Sequence, residues 1–303
     1  PTPPYTLRLL DSVPGRHGFA VRHLAPGAIP LLEVRNLEKR YPLAAMFGAK
    51  RLANVAAVDN VSFVLHRGES LGIVGESGSG KSTLARVLLG LNVATSGTVL
   101  YRGKDMATFS KAEMFEFRRR IQVIFQDPTA SLNPYMTVGS IIAEPWAIHR
   151  DVLPKDQWPR RTSELLERVG LKPAHAFRYP HQFSGGQRQR IAIARALALN
   201  PEVIVCDEAV SALDVSIQAQ VIELLKELGR ELNLAYLFIA HDLSVVRDFT
   251  DHLLVMHRGK VVEDGETAAV FANPKDPYTR ELLAATQFIN AGAAPAAPQP
   301  RPA

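Results

Sequence analysis

The amino-acid sequence predicts an α/β fold, and three observations support that prediction. Residues 203–207 form an apolar run that ends in aspartate, which is typical of a parallel strand buried on both faces. Strand-like and helix-like segments alternate on both sides of this run. Residues 126–199 are helical in pattern and interrupt the alternation. We therefore expect an α/β core with an inserted helical subdomain.

The predicted strands are short apolar runs bounded by polar or turn-forming residues. They comprise residues 31–37, 57–65, 70–74, 97–101, 121–125, 203–207, 235–240, 253–256 and 260–263. We expect Tyr41 to lie in the loop between the first two of these strands.

The predicted helices carry apolar residues at helical spacing. They comprise residues 83–89, 111–119, 138–149, 157–169, 185–199, 216–232 and 244–249. Residues 1–30, rich in Pro and Gly, predict a linker. Residues 290–303, rich in Ala and Pro, predict a disordered tail.

Composition limits the possible functions without selecting one. The chain has 303 residues, 47% of them apolar, so a sizeable buried core is expected. Its single cysteine, Cys206, excludes an internal disulfide and a cysteine-ligated cluster built by this chain alone. No apolar run approaches the roughly 18–20 residues of a membrane span, and no signal peptide opens the sequence, so we expect a cytosolic fragment or processed chain. The formal charge of +5 does not select a partner, and no dense basic patch indicates nucleic acid.

A glycine-rich loop follows the predicted strand 70–74 and precedes the helix 83–89. Its sequence, Gly-Glu-Ser-Gly-Ser-Gly-Lys-Ser at 75–82, matches the phosphate-loop pattern G-x-x-x-x-G-K-[ST]. Such a loop points backbone N–H groups and a helix N-terminus at a polyphosphate. Lys81 is expected to reach the β- and γ-phosphates, and the Ser82 hydroxyl to ligate Mg²⁺. The residues expected to bind the nucleoside triphosphate are Gly75, Glu76, Ser77, Gly78, Ser79, Gly80, Lys81, Ser82 and Thr83.

Two further motifs each allow a structural and a functional interpretation. Phe-Ser-Gly-Gly-Gln at 183–187 opens a helix, either as an ordinary capped start or as a second anion site. Asp207 and Glu208 end a strand at the edge where α/β sheets bind ligands. Asp207 can hold Mg²⁺ and Glu208 can polarise a water, but such a pair can also be a solvated turn.

Gln126 and His241 each end an apolar strand, where either could be an ordinary polar residue. Taken together, the order and spacing of all these motifs resemble the ATP-binding cassette (ABC) ATPases over nearly all of residues 31–264. The resemblance implies a P-loop NTPase (RecA-like) core with an antiparallel β subdomain and a helical subdomain at about 126–199. Two departures are Phe183, where Leu is commoner, and Ala209, where many relatives have Pro.

The resemblance also implies a role for each motif in a head-to-tail pair of domains with ATP and Mg²⁺ between them. It implies that Tyr41 stacks on adenine, that Gln126 contacts Mg²⁺ and the attacking water, and that His241 hydrogen-bonds the γ-phosphate. Asp214 would lie at the contact between domains. The residues that would contact a γ-phosphate bound on the partner domain are Ser184, Gly185, Gly186 and Gln187, and the implied Mg²⁺ ligands are Ser82, Gln126 and Asp207.

Further motifs resemble the oligopeptide and dipeptide importer ATPases. They lie at 125–134, at 206–221 and in the C-terminal extension 265–289, which holds Asp-Pro-Tyr-Thr at 276–279. This resemblance implies two transmembrane permease subunits, a periplasmic or extracellular solute-binding protein, and a peripheral location at the cytoplasmic face of the inner membrane. Alternatives are import of nickel or glutathione, a soluble non-transport ABC ATPase, and a phosphate-loop kinase.

A short repeat suggests a tandem arrangement. Pro-Tyr-Thr-Leu-Arg-Leu-Leu at 4–10 resembles Pro-Tyr-Thr-Arg-Glu-Leu-Leu at 277–283. We interpret residues 1–30 as the tail of a preceding cassette and its connector. The chain is then the C-terminal half of a tandem ATPase, with its second nucleotide-binding domain upstream in the same polypeptide.

Overall fold

The computed structural model describes residues 30–42, 54–211, 213–241 and 243–291, which form two β-sheets and ten α-helices. Apart from Pro30, the predicted linker at 1–30 lies outside the described residues. So does the predicted tail, apart from residues 290 and 291. No helix within the described part of the chain is long and apolar enough to cross a membrane.

The first sheet is antiparallel and has the strand order β2-β1-β4-β5. Its strands are β1 (Pro30–Pro42), β2 (Asn54–His66), β4 (Ser96–Tyr101) and β5 (Lys104–Asp105). The prediction that Tyr41 lies in a loop is wrong, because Tyr41 belongs to β1 and pairs with Val55. The apolar pattern ends at Leu37, where burial ends, whereas backbone pairing with β2 continues to Pro42.

The second sheet has the order β10-β9-β3-β8-β7-β6. Its strands are β3 (Ser70–Val74), β6 (Ile121–Ile124), β7 (Val203–Asp207), β8 (Ala235–Ile239), β9 (His252–His257) and β10 (Lys260–Glu266). Strands β9, β3, β8, β7 and β6 pair in parallel, and β10 is antiparallel at the edge. The mixed α/β architecture confirms the predicted fold class.

The helices pack on this sheet or form the inserted subdomain. They are α1 (Lys81–Leu88), α2 (Lys111–Arg120), α3 (Pro128–Ser131), α4 (Val138–Ile148), α5 (Trp158–Arg168), α6 (Gly185–Leu197), α7 (Val215–Leu232), α8 (Leu243–Phe249), α9 (Thr267–Ala272) and α10 (Pro277–Ala291). Helices α3 to α6 form the subdomain. The fully buried Trp146 of α4 donates its indole N–H to the Ala198 carbonyl just after α6, at 2.8 Å.

The parallel sheet separates two hydrophobic cores, because successive residues of a strand point to opposite faces. Ile204 and Cys206 of β7 lie in the core shared with the inserted helices. Val203 and Val205 lie in the core shared with α1 and the antiparallel sheet. An almost wholly apolar strand is therefore required at this position, as its sequence predicted.

The strands at the two ends of the predicted cassette, residues 31–264, extend slightly beyond that range. Strand β1 begins at Pro30 and β10 continues to Glu266. The segment expected as a C-terminal extension, 265–289, contains α9 and most of α10. Helix α10 packs against α8 and β10.

A buried carboxylate connects the two sheets. Glu202, which precedes β7 and is 7% exposed, accepts a 2.7 Å hydrogen bond from the Tyr101 hydroxyl at the end of β4. The Arg102 guanidinium also contacts this carboxylate. Burial and the bond to Glu202 raise the pKa of Tyr101, so its hydroxyl keeps its proton at neutral pH.

Replacing this tyrosine tests the connection. Tyr101→Phe should lower the free energy of unfolding by about 1–3 kcal/mol, because it removes a hydrogen bond to a charged acceptor. Urea denaturation measures the change. Tyr135→Phe is the matched control, since Tyr135 is 90% exposed, and it should change stability by less than about 0.5 kcal/mol. Equal stability of the two variants would contradict the role given to Tyr101.

Candidate active site

Four neighbouring strands of the parallel sheet end in residues that the sequence singled out. The glycine-rich loop follows β3, Gln126 lies just after β6, Asp207 ends β7, and His241 lies just after β8. These strands run in parallel, so their carboxyl ends meet at one edge of the sheet. The sheet thereby gathers residues from distant parts of the chain.

The glycine-rich loop follows a path that only glycine permits at two positions. Gly75 and Gly80 both have positive φ angles, of 148° and 107°. A Cβ at Gly75 would lie 2.1 Å from the Met256 carbonyl oxygen, and one at Gly80 would lie 2.1 Å from the Ala57 carbonyl oxygen. The loop is therefore pressed against β9 and β2, which fixes its curvature.

Lys81 is the first residue of α1, and its side chain folds back into the loop. Its ammonium donates to the Gly75 carbonyl at 2.6 Å and to the Glu76 carbonyl at 2.9 Å. Burial lowers the pKa of Lys81, while the nearby carboxylates of Glu208 and Asp207 oppose that shift. An ammonium group has three donors, so one remains for a phosphate oxygen.

The loop has the features that a polyphosphate requires. Helix α1 has no side-chain cap and no acidic residue in its first turn, so its first N–H groups and its positive dipole end face the loop. The Ser79 hydroxyl is buried and has no hydrogen-bond partner among the described residues. Bare amides, an unpartnered hydroxyl and a lysine ammonium are the donor set that binds phosphate groups.

The opposite side of the site is acidic. Burial and the adjacent Glu208 raise the pKa of Asp207, whereas the Arg86 and Lys81 cations lower it. Two neighbouring carboxylates are stabilised by a cation. Ser82 and Gln126, both exposed, and Asp207 offer oxygen donors, which suit Mg²⁺.

Glu208 adopts a left-handed backbone conformation with a φ of 50°, which is unusual for a residue other than glycine. Its N–H donates to the Ile239 carbonyl of β8 at 2.9 Å, and its carbonyl accepts from the Ser211 hydroxyl at 2.9 Å. The turn brings its carboxylate to 3.9 Å from Nδ1 of His241. The structure thus places Glu208 and His241 side by side.

Ser184 and Gln187 cap the start of α6. The Gln187 side-chain oxygen accepts from the Ser184 N–H at 3.1 Å, and the Ser184 hydroxyl accepts from the Gln187 N–H at 3.4 Å. Gly186 is buried, and a Cβ there would lie 2.3 Å from Cγ2 of Ile217 in α7, so close helix packing requires this glycine. Among the described residues, Ser184 and Gln187 do not hydrogen-bond to the phosphate loop.

Asp214 also has a structural role within the chain. Its carboxylate caps α7 by accepting from the Ile217 N–H and the Ser216 hydroxyl, each at 3.0 Å. These bonds lower the pKa of Asp214, the one from the Ile217 N–H most strongly. Gly185, one position before Gly186, is exposed, and a Cβ there would make ordinary contact with Leu213.

Tyr41 lies at the end of β1 with its ring partly exposed. Its hydroxyl accepts a 2.9 Å hydrogen bond from Asn92, just beyond α1, and the Lys39 ammonium lies 5.0 Å from the ring centroid. The ring therefore stands beside the end of α1, the helix that begins in the phosphate loop.

One contact of the site was missed from the sequence. Gln189 of α6 is fully buried and donates to the carbonyl of Ala209, the residue after Glu208, at 2.6 Å. The Oε1 atom of Gln189 is buried without a partner among the described residues. A glutamine on the buried face of a helix, in line with Ile193 and Ala196, is the signal that could have revealed it.

Comparison with known proteins identifies the family. A family model described as ABC transporter matches residues 58–211. The chain belongs to the ABC transporter family. It is an ATPase domain of that family, and the matched residues run from β2 to the turn after Glu208.

The relatives of this ABC domain include import proteins. The chain is 48% identical over 309 residues to a glutathione import ATP-binding protein of Salmonella typhimurium, a match that covers 94% of the chain and 49% of the relative. It is 54% identical over 256 residues to the protein of that name from Escherichia coli O157:H7, with 84% and 41% covered. The chain thus spans about half the length of the curated relatives it matches, or less.

Solved structures of ABC proteins have the same fold. One is cbiO1 of Clostridium perfringens, described as part of the ABC transporter complex cbiONQ, with a TM-score of 0.69, 26% identity and coverage of 86% of this chain and 98% of that one. Another is a dimer of the ATP-binding cassette MJ0796 in a post-hydrolysis state, bound to ADP and Pi. Its TM-score is 0.67 and its identity 29%, with 78% and 98% covered.

Proposed function

We propose that this ABC domain hydrolyses Mg-ATP and thereby powers solute import through a pair of membrane permeases. The observation that carries the proposal is the meeting of Lys81, Asp207, Glu208 and His241 at one edge of the parallel sheet. The phosphate loop supplies positive charge and bare amides on one side, and the acidic pair can order a cation and a water on the other.

Hydrolysis proceeds by in-line attack of water on the γ-phosphorus, and the bond to the β–γ bridging oxygen breaks. Glu208 holds the water and accepts its proton, while His241, 3.9 Å from Glu208, donates to the γ-phosphate. Lys81 offsets the charge on the β- and γ-phosphates. Mg²⁺, when bound to Ser82, Gln126 and Asp207, would neutralise further phosphate charge. Tyr41 supports the adenine by stacking.

The Glu208→Gln variant tests this chemistry. It keeps the size of the side chain but replaces one acceptor oxygen with an NH₂ group that cannot accept a proton, so turnover should fall by about 10²–10⁴-fold. ATP affinity, measured by isothermal titration calorimetry, should change by less than about threefold. Steady-state phosphate release by the paired assembly measures turnover, and Glu223→Gln on the exposed face of α7 is the matched control. Unchanged turnover in Glu208→Gln would contradict the role given to Glu208.

We infer that Ser184, Gly185, Gly186 and Gln187 complete the ATP site of a second domain rather than that of their own chain. Two observations support this inference. Ser184 and Gln187 bond to each other and not to the phosphate loop of the same chain. A structurally similar cassette bound to ADP and Pi is a dimer. Asp214, at the start of α7 and exposed, is expected beside the same contact.

The Ser184→Arg variant separates the two halves of such a site. It should leave nucleotide binding to the single chain unchanged, yet lower hydrolysis more than about 10-fold in the paired assembly, because a bulky cation would block the partner's γ-phosphate. The matched control is Ser110→Arg, since Ser110 caps α2 with the same reciprocal bonds to Glu113. Each of these two substitutions removes a helix N-cap and should lower the free energy of unfolding by about 1 kcal/mol. Weaker ATP binding by Ser184→Arg alone would contradict a site completed by a partner.

The imported solute is proposed to be a short peptide of the glutathione class. Glutathione is a tripeptide, so the names of the relatives and the resemblance to peptide-importer motifs point to one chemical class. The solute would be selected by a solute-binding protein and two permease subunits. This ABC domain would lie at the cytoplasmic face of the inner membrane.

The inserted subdomain offers a docking surface for a permease. A cavity of about 560 Å³ lies between α4 and α5, with Met136, Trp158 and Phe177 in its lining. Phe177 is 83% exposed. An exposed aromatic side chain in the lining of an apolar cavity is typical of a protein–protein contact.

We also propose that the second cassette lies upstream in the same polypeptide. The relatives are about twice as long as the matched region. The match covers 94% of this chain and so leaves about 18 residues uncovered. Because segment 1–30 has 30 residues, the match must include part of that segment. The intact polypeptide should contain an upstream phosphate loop, and its absence would contradict the tandem arrangement.

Uptake measurements test the import function. The intact ATPase, expressed with its permeases and solute-binding protein, should support ATP-dependent uptake of labelled glutathione or a dipeptide into membrane vesicles. Glu208→Gln should reduce that uptake by about 10²–10⁴-fold, in step with its loss of turnover. Equal uptake with the native ATPase and with the Glu208→Gln variant would exclude this domain as the motor.

A further inference from the structure

The C-terminal helix reaches the phosphate loop. Tyr278, the second residue of α10, accepts a 3.0 Å hydrogen bond through its hydroxyl from the Glu76 N–H. The two residues are 202 positions apart in the chain. No part of the catalytic role proposed above uses Tyr278.

This hydrogen bond is made by the same peptide group of the loop that holds Lys81. The N–H of Glu76 and the carbonyl of Gly75 belong to one peptide group. That carbonyl accepts from the Lys81 ammonium at 2.6 Å. One planar peptide group therefore links the Tyr278 hydroxyl on one side to Lys81 on the other, and fixing its orientation fixes where Lys81 is held.

Several contacts hold Tyr278 in place. Its N–H donates to the Asp276 carboxylate at 2.8 Å, and its ring lies with its centroid 4.0 Å from that of His257, at the end of β9. The buried Glu263 of β10 accepts from the N–H groups of Lys275 and Asp276 at 2.8 and 3.1 Å. The turn that precedes α10 is thus anchored to the same sheet that carries the phosphate loop.

We propose that Tyr278 is a positioning residue for ATP binding, which acts through the Gly75–Glu76 peptide on Lys81. The Tyr278 hydroxyl keeps the Gly75 carbonyl turned toward the ammonium. Two of the three ammonium donors are then satisfied by the loop, and the third remains for phosphate. The C-terminal extension thereby becomes part of the nucleotide site. This inference rests on the proposed ATP-binding function of the loop.

Tyr278→Phe tests the inference, because it removes the hydroxyl and leaves the ring against His257. Loss of one neutral hydrogen bond that orients the loop should weaken ATP binding by about 3- to 10-fold. Lys81 is expected to contact phosphate both before and during hydrolysis. KM should therefore rise, while kcat should change by less than about twofold. Calorimetry gives the affinity of the single chain, and phosphate release by the paired assembly gives the kinetic constants. Tyr135→Phe, which removes an exposed hydroxyl, is the matched control and should change neither the affinity nor the kinetic constants.

A double-mutant cycle distinguishes positioning from a general structural effect. In a Lys81→Ala background the same Tyr278→Phe change should alter nucleotide affinity by less than about 1.5-fold, since its effect passes through Lys81. Equal weakening in both backgrounds would overturn the proposal, as would unchanged affinity of Tyr278→Phe in the otherwise native chain. A native chain that binds no ATP would instead contradict the proposed function itself.

Discussion

The parallel pairing of β3, β8, β7 and β6 is the constraint on which the rest of this structure depends. Each strand contributes only a few residues to the site, and those residues come from four separate stretches of sequence. Because parallel strands end at the same edge, pairing alone is enough to bring a phosphate loop, two acids and a histidine together. The strands can be buried on both faces because the antiparallel sheet and α1 cover one side and the helices cover the other.

Burial also sets the electrostatics at that edge. It lowers the pKa of Lys81 and raises that of Asp207, so each group depends on opposite charge nearby. Lys81 is held by loop carbonyls rather than by a paired carboxylate, and Glu208 lies beside His241. A bound nucleotide with its cation would add negative charge beside the lysine and positive charge beside the acids. The same burial that destabilises the charged groups therefore favours their proposed ligand.

Much of the fold was predictable from sequence because its strands are either fully apolar or end in diagnostic polar residues. The strands 70–74 and 203–207 match the structure residue for residue. Tyr41 was misplaced because β1 remains paired beyond its last buried residue. Gly186 was interpreted through its bare N–H, but Ile217 also requires it to lack a side chain. The contacts of Gln189 and Tyr278 join distant segments, and no local pattern encodes them.

Hydrogen–deuterium exchange of the Glu208→Gln chain, with and without Mg-ATP, tests the central claim most directly. ATP should slow amide exchange in peptides covering 75–83, because its phosphate groups accept hydrogen bonds from N–H groups at the start of α1. Peptides from α5, which lies in the inserted subdomain, should be unaffected in the single chain. Binding of ATP detected by calorimetry, together with unchanged exchange at 75–83, would show that the nucleotide binds elsewhere and would contradict the account.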